Sequence, residues 1–216
     1  GSEMCIRDRL DLSRWKPDRA LLDPFCGSGT IPIEAAMIGK NIAPGLNRSF
    51  AFEKWPCCGA GIAERARAAA RSVIRSDEEA GLRIYASDID YFAIRQAKEN
   101  ARLAGVEGCI HFQKLDYTKT ASRYCQGFLI TNPPYGERLE EKSALPALYK
   151  ELGARYAALD SWSMYLITAY ENAERDIGRK ADKNRKIYNG MMKTYFYHYM
   201  GCLLYTSPSP RDISGS

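Results

Sequence analysis

The sequence predicts an α/β fold: a mostly parallel, seven-stranded sheet that carries helices on both faces and ends in an antiparallel C-terminal hairpin. Three observations lead there. The apolar pair Leu21-Leu22 empties through Asp23-Pro24-Phe25 into the turn Cys26-Gly27-Ser28-Gly29-Thr30, and a helical pattern follows; strand, Gly-x-Gly turn and helix in that order open a doubly wound sheet. Apolar strand-like runs then alternate with helical patterns along the chain. Two β-rich runs finally flank Asn189-Gly190, a strong signal for a type I′ hairpin turn.

Strand one is Ala20 to Phe25, and its helix runs from Ile31 to Gly39 with Ile33, Ala36 and Met37 on one face. Asn41 to Trp55, with Pro44 and Gly45, reads as an irregular insertion followed by Pro56. Ile62 to Ile74 is an added helix whose arginines (Arg65, Arg67, Arg71, with Arg75 just beyond) form a basic face, and Ser76-Asp77-Glu78-Glu79 is an acidic turn. A solvated face is the expectation for such arginines, with RNA contact as the alternative. Leu82 to Ser87 is strand two, closing on Asp88-Ile89-Asp90. Tyr91 to Leu103 is a helix with Ile94, Ala97, Ala101 and Ala104 along one stripe and Gly105 as its stop. Strand three is Ile110 to Leu115, with Asp116 just beyond, and strand four is Gly127 to Thr131. Leu145 to Ala158 is helical, Met164 to Thr168 is strand five, and Glu171 to Ile177 is a short helix. Arg185 to Tyr188 and Met191 to Tyr199 make the hairpin, so one reversed strand is expected at the sheet's edge.

Composition narrows the function classes. No apolar run is long enough to span a bilayer, so one soluble domain with no membrane role is expected. A net charge of +5 is compatible with a polyanionic partner but below that of a stand-alone nucleic-acid binder. The seven cysteines include no C-x-x-C pair, and the two histidines, His111 and His198, are far apart. That argues against a metal centre and against a disulfide framework, and points to a reduced, cytoplasmic protein.

The glycine turn has a partly decided ligand. Gly27 and Gly29 permit positive φ and a close backbone approach, and the helix behind them offers free N–H groups. A dinucleotide fingerprint needs a third glycine where Pro32 stands, and an acid about 20 residues on, much nearer than Asp88. A P-loop needs a Gly-Lys-Ser/Thr that is missing. What remains is a carboxylate before the loop, Asp23, that can meet a cationic amine, and an acid after the next strand, Asp88, that can take a ribose diol. That pair suits S-adenosylmethionine; a tight turn with a capping Asp is the alternative.

A second motif, Asn132-Pro133-Pro134-Tyr135-Gly136, directly follows strand four. Methylating an exocyclic amine requires its delocalised lone pair to be aimed at an electrophilic methyl group, so acceptors must hold its N–H groups. The Asn132 side-chain oxygen and the Pro133 carbonyl can accept them, and Tyr135 offers a stacking face for an extruded base. No strong base is needed, because the nitrogen becomes acidic once methylated.

The segments Leu22–Ala36, Asn41–Phe50, Ser87–Leu103, Thr131–Leu139 and Asn184–Gly201 resemble the catalytic domain of the THUMP-associated rRNA guanine-N2 methyltransferases. Asn-Pro-Pro-Tyr-Gly-Glu-Arg-Leu and the terminal Arg-Lys-Ile-Tyr-Asn-Gly are the most specific parts. The resemblance implies a Rossmann-like methyltransferase fold over residues 10–201, S-adenosylmethionine as cofactor and large-subunit rRNA as partner. It also implies that RNA capture needs a THUMP module absent from this chain. Asp23, Phe25, Cys26, Gly27, Ser28, Gly29 and Thr30 would form the cofactor loop, with Asp88 and Ile89 at the ribose and Asp116 at the adenine amine. Asn132, Pro133, Pro134 and Tyr135 would hold the target base, Asn132 also bordering the cofactor. Residues 1–9 and 202–216 resemble translated adapter read-through capped by cloning scars, and are expected to be foreign to the domain. Two alternatives stand: an adenine-N6 methyltransferase on DNA or RNA, because the same turn fits any exocyclic amine, and a non-catalytic RNA-binding module.

Overall fold

The computed structural model describes residues 6–55, 61–136, 139–159, 161–189 and 192–201. In chain order these form α1 (Ile6–Ser13), β1 (Ala20–Asp23), α2 (Thr30–Gly39), α3 (Ile62–Ser72), α4 (Asp77–Ala80), β2 (Ile84–Asp88), α5 (Tyr91–Leu103), β3 (Ile110–Lys114), β4 (Gly127–Thr131), α6 (Leu139–Ala157), β5 (Ser163–Thr168), α7 (Ala173–Ile177), β6 (Lys183–Asn189) and β7 (Met192–Tyr199). One seven-stranded sheet has the order β3-β2-β1-β4-β5-β7-β6. Strands β1 to β5 are mutually parallel, and β7 runs antiparallel to both β5 and β6. This is the Rossmann-like methyltransferase architecture.

The chain winds outward from β1 through β2 to β3, then returns to place β4 on the other side of β1. The switch in winding lies between β1 and β4, and the crevice at their carboxyl ends is where such sheets bind ligands. Asp23 ends β1 and Thr131 ends β4, so the two sequence motifs flank one crevice.

Strand residues alternate between two cores. Leu21, Ile84, Phe128, Tyr165, Ile167 and Phe196 pack under Leu10 of α1, Ile31, Ala35 and Ala36 of α2, and Ile94 and Ala101 of α5. Leu22, Leu129, Met164, Leu166 and Tyr197 pack under Leu145, Tyr149, Leu152 and Tyr156 of α6 and under α7. Central strands buried on both faces read as continuous apolar runs, which is why they were legible.

Four expectations need correction. The reversed strand β7 is not the edge; β6 is. Thr194, Phe196, Tyr197, His198 and Tyr199 of β7 are buried, whereas Lys183, Asn184, Arg185 and Lys186 of β6 are exposed, and charged residues are what an edge tolerates. The turn expected at Asn189-Gly190 reaches Gly190, outside the described residues. Helix α6 begins at Leu139, not Leu145, and carries Pro146 in its interior; the buried stripe Leu145, Tyr149, Leu152, Tyr156 offsets the one lost backbone bond. The acidic turn is a short helix, α4, closed by a capping box between Ser76 and Glu79. In α2 the buried positions are Ile31, Pro32, Ala35, Ala36 and Gly39, while Ile33 and Met37 are only partly covered.

The proposed domain boundary at residue 9 falls inside α1. The insertion between α2 and β2 is fastened by a Lys40–Asp77 ion pair, by Arg75 N–H on the Lys40 carbonyl at 2.9 Å, and by Asn41 Nδ2 on the Val73 carbonyl at 3.2 Å. Among the described residues, no helix is long and apolar enough to cross a membrane.

Candidate active site

The glycine turn is braced from three sides. The Cys26 N–H donates to the Ser87 carbonyl at 3.0 Å, and the Gly29 N–H to the Cys26 carbonyl at 2.8 Å. Gly27 N–H donates to Asp88 Oδ2 at 3.0 Å, and Asn100 Nδ2 of α5 donates to the Ser28 carbonyl at 2.9 Å. Both glycines hold positive φ, 52° at Gly27 and 84° at Gly29, but their surroundings differ. A Cβ on Gly29 would stand 3.0 Å from the Ala97 Cβ, whereas one on Gly27 would meet no atom within 4 Å. Gly29 is thus required by packing of the turn on α5, and Gly27 leaves open space beside the loop.

Asp23 is 1% exposed. Its Oδ1 accepts the Thr131 hydroxyl at 2.6 Å and the Phe25 N–H at 3.2 Å, while Oδ2 is buried without a partner. Burial pushes the carboxyl up to about 7, against the pull of its two donors and assisted by the nearby Asp88. Its unmatched oxygen leaves this buried carboxyl room for one more donor.

Asn132 follows Thr131 directly and is exposed, Pro133 is buried, Pro134 is exposed, and Tyr135 is partly exposed. The turn is anchored from α6: Tyr149 Oη donates to the Pro134 carbonyl at 3.3 Å and pairs with Thr168 Oγ1 at 2.5 Å. Thr168 in turn accepts the Tyr170 N–H at 3.0 Å. Burial raises the Tyr149 phenol well above the ordinary tyrosine range, so it serves as a fixed donor.

The remaining acids sit at successive strand ends. Asp88 uses Oδ2 on Gly27 and Oδ1 on the Asp90 N–H at 3.0 Å. Ile89 beside it is 63% exposed, an apolar side chain available to a ligand. Asp116 Oδ1 accepts the Thr118 N–H at 2.9 Å, and the backbone and side chain of Thr118 hold its carboxyl below the usual range. The Phe25 and Tyr117 rings lie 4.9 Å apart, which brings the loop and the end of β3 together.

Asp23, Phe25, Gly27, Asp88 and Thr131–Asn132 are therefore linked by direct contacts or adjacency. Cys26 is not a chemical participant: it is 6% exposed, and burial with the neighbouring Asp23 and Asp88 carboxylates keeps its thiol protonated. Ser28 and Thr30 share a hydrogen bond of 3.2 Å at the loop surface. Thr131, Tyr149, Tyr117 and Asn100 were missed by sequence reasoning. Only Thr131 carried a signal, its place immediately before the Asn-Pro-Pro-Tyr turn.

A cavity of about 600 Å³ lies under β1 to β3, lined by Leu22, Tyr85, His111 and Gln113 and roofed by Arg123 and Tyr124. It exists because the β3–β4 connection forms only a 3₁₀ turn, Tyr117–Lys119, and leaves that sheet face without a helix. Of the candidate residues only Asp23 borders it. The crevice where the two motifs meet is the better candidate site. Among the described residues, no group of three or more His, Cys, Asp or Glu is placed to hold a metal ion.

Known proteins resemble this chain in sequence and fold. YpsC of Bacillus subtilis (strain 168), which carries an RNA-methyltransferase name, is 46% identical over 190 residues, 88% of this chain and 49% of that protein. Ribosomal RNA large subunit methyltransferase K/L of Shewanella baltica (strain OS195) is 39% identical over 217 residues, 97% of this chain and 30% of that protein. The chain therefore spans half or less of the length of these relatives. Among solved structures, SMU.472, described as a methyltransferase complexed with SAH, superposes with a TM-score of 0.86 at 42% identity, covering 91% of this chain and 52% of that one. A Listeria monocytogenes protein described as an N6-adenine-specific DNA methylase superposes with a TM-score of 0.83 at 41% identity, covering 93% and 52%. The family model described as "RMKL-like, methyltransferase domain" matches residues 9–198, and the chain belongs to that family, UPF0020.

Proposed function

We propose that residues 10–201 are the catalytic domain of a cytoplasmic S-adenosylmethionine-dependent RNA methyltransferase that modifies the exocyclic N2 amine of a guanosine in large-subunit rRNA. The observation that carries this reading is the Thr131–Asp23 hydrogen bond of 2.6 Å. It ties a buried, cation-seeking carboxylate to the residue that precedes the amine-holding turn, so the two halves of a group transfer are registered on adjacent strands.

The residues fit the cofactor at three points: the partnerless Asp23 Oδ2, the open space at Gly27, and the paired acids Asp88 and Asp116 with Ile89 between them in the chain. When bound, S-adenosylmethionine supplies an electrophilic methyl group. Asp23 would meet the cofactor's ammonium, Asp88 its ribose hydroxyls, and Asp116 its adenine amine. Asn132 and the Pro133 carbonyl would accept the two amine hydrogens of the target base, and Tyr135 would stack on its ring. Tyr149 fixes the turn, so this alignment is preorganised. The domain alone would bind RNA weakly and in a salt-sensitive way, with a THUMP module adding affinity.

The Asn-Pro-Pro-Tyr turn suits an adenine N6 amine equally, and the Listeria structure bears such a description; the relatives' names favour rRNA. Nucleoside mass spectrometry of rRNA treated with enzyme and cofactor tests both. N2-methylguanosine is expected; N6-methyladenosine, or no binding of S-adenosylhomocysteine, would overturn the assignment.

A further inference from the structure

Thirty-five residues, 41–75, hold most of the chain's excess positive charge. Arg48, Lys54, Arg65, Arg67, Arg71 and Arg75 stand against Glu53 and Glu64 alone, a net +4 of the chain's +5. None of α3 is buried, and it carries three arginines against one acid, Glu64.

The structure gathers part of this charge into a cleft. A cavity of about 340 Å³ between the Leu46–Ser49 segment and α3 is lined by Asn47, Arg48, Ser49, Glu53, Arg67 and Arg71. Arg67 is the organiser: it forms an ion pair with Glu53 and donates through Nη2 to the Arg48 carbonyl at 2.8 Å. Glu53 is thereby committed to Arg67, which leaves the Arg48 and Arg71 charges in the cleft without a matching carboxylate there. Arg71 follows Arg67 by one helical turn and shares its face. Phe50, 44% exposed, and Trp55, 58% exposed, add stacking surfaces in the same insertion.

We propose that this insertion is a phosphate-gripping face for the RNA substrate, with Arg48 and Arg71 contacting the backbone; the inference rests on the RNA-methyltransferase reading above. Its position is set by topology. Helix α2 runs back from the crevice and β2 runs toward it, so both ends of the insertion attach at the amino-end edge of the sheet. It would hold a large RNA remote from the reacting base, and its loss would weaken RNA binding without touching methyl transfer. Asn47 and Ser49 add polar residues to a lining suited to phosphate oxygens.

The test is fluorescence anisotropy with a labelled hairpin from large-subunit rRNA over a salt series, comparing the protein with R48Q/R71Q and with Arg71→Glu, and with Lys98→Gln as a surface control. Both exposed-site variants should keep the wild-type melting temperature. R48Q/R71Q should bind about tenfold or more weakly, with the slope of log affinity against log salt reduced by about one to two, as removal of two phosphate contacts requires; Arg71→Glu should be as weak or weaker, and Lys98→Gln close to wild type. Unchanged affinity and slope in R48Q/R71Q, an effect matched by Lys98→Gln, or no RNA binding by the wild type would overturn the proposal. Failure of the function reading has a different signature: RNA binding that depends on Arg48 and Arg71, with no methylated nucleoside formed.

Discussion

The Thr131 hydroxyl donates to Asp23 Oδ1 across the β1–β4 boundary, 108 residues apart in the chain and 2.6 Å apart in space. Asp23 and the start of the Asn-Pro-Pro-Tyr turn thus cannot shift independently. Thr131→Val keeps the volume and removes the donor, leaving Asp23 with only the Phe25 N–H. Affinity for S-adenosylhomocysteine should fall about tenfold, the scale of a hydrogen bond to a charged group, and Thr131→Ser should restore it. Isothermal titration calorimetry measures both; equal affinity in Thr131→Val would show the contact to be incidental.

Asp23 also sets a pH dependence. Burial raises its carboxyl to about 7, and a cationic ligand selects the ionised form, so cofactor affinity should rise as pH increases through 7 and level off above it. From pH 8 to pH 6 the loss should approach about tenfold, with proton release on binding near pH 6.5. Asp23→Asn should bind weakly at every pH and flatten the profile. A wild-type affinity that does not vary between pH 6 and 8 would refute the role of this carboxyl.

His198 governs a separate pH effect, on stability. It is 4% exposed in β7, ringed by Tyr165 and Phe196, and its Nε2 has no partner. Burial, with Arg185, Lys183 and Arg14 nearby, lowers it to about 4 from an ordinary 6.5. The unfolded chain therefore binds a proton that the folded one refuses between these values. The contribution is complete above pH 6.5 and is lost as pH falls toward 4, on the order of 3 kcal/mol in all. Asp23, whose raised carboxyl favours the folded state at low pH, works in the opposite direction. The difference between wild type and His198→Phe isolates the histidine: the urea midpoint should fall less steeply with acid in the variant than in the wild type. Parallel curves would contradict it.

The two loop glycines should fail in different ways. Gly29→Ala puts a Cβ 3.0 Å from the Ala97 Cβ at φ 84°, so it should cost about 1–3 kcal/mol of stability, read from thermal melts. Gly27→Val projects into open space; it should cost less stability, mainly the left-handed backbone, and abolish S-adenosylhomocysteine binding. The reverse pattern would place the ligand elsewhere.

Much of this was legible in the sequence, for identifiable reasons. Leu21-Leu22, Phe128 to Thr131 and Met164 to Thr168 announced themselves because strands buried on two faces leave no polar alternation, and α5 matched its expected limits because Asp90 caps its start and Gly105 stops it. The order of β6 and β7 was not legible, since a hairpin signal says which strands pair and not which one faces the sheet. Thr131 and Tyr149 were missed because a hydroxyl at a strand end and a tyrosine in an apolar helical stripe look ordinary until their partners, Asp23 and the Pro134 carbonyl, are brought close.

The measurement that tests the central claim most directly is single-turnover methyl transfer by Asn132→Ala to an rRNA fragment. Asn132 is exposed beside the crevice, and its carboxamide is assigned to the target base and not to cofactor binding energy. The chemical step should slow on the order of a hundredfold, as for loss of one positioned hydrogen-bonding group, while S-adenosylhomocysteine affinity stays near wild type. A rate equal to wild type would mean that the Asn-Pro-Pro-Tyr turn is only structural, and would contradict the exocyclic-amine mechanism.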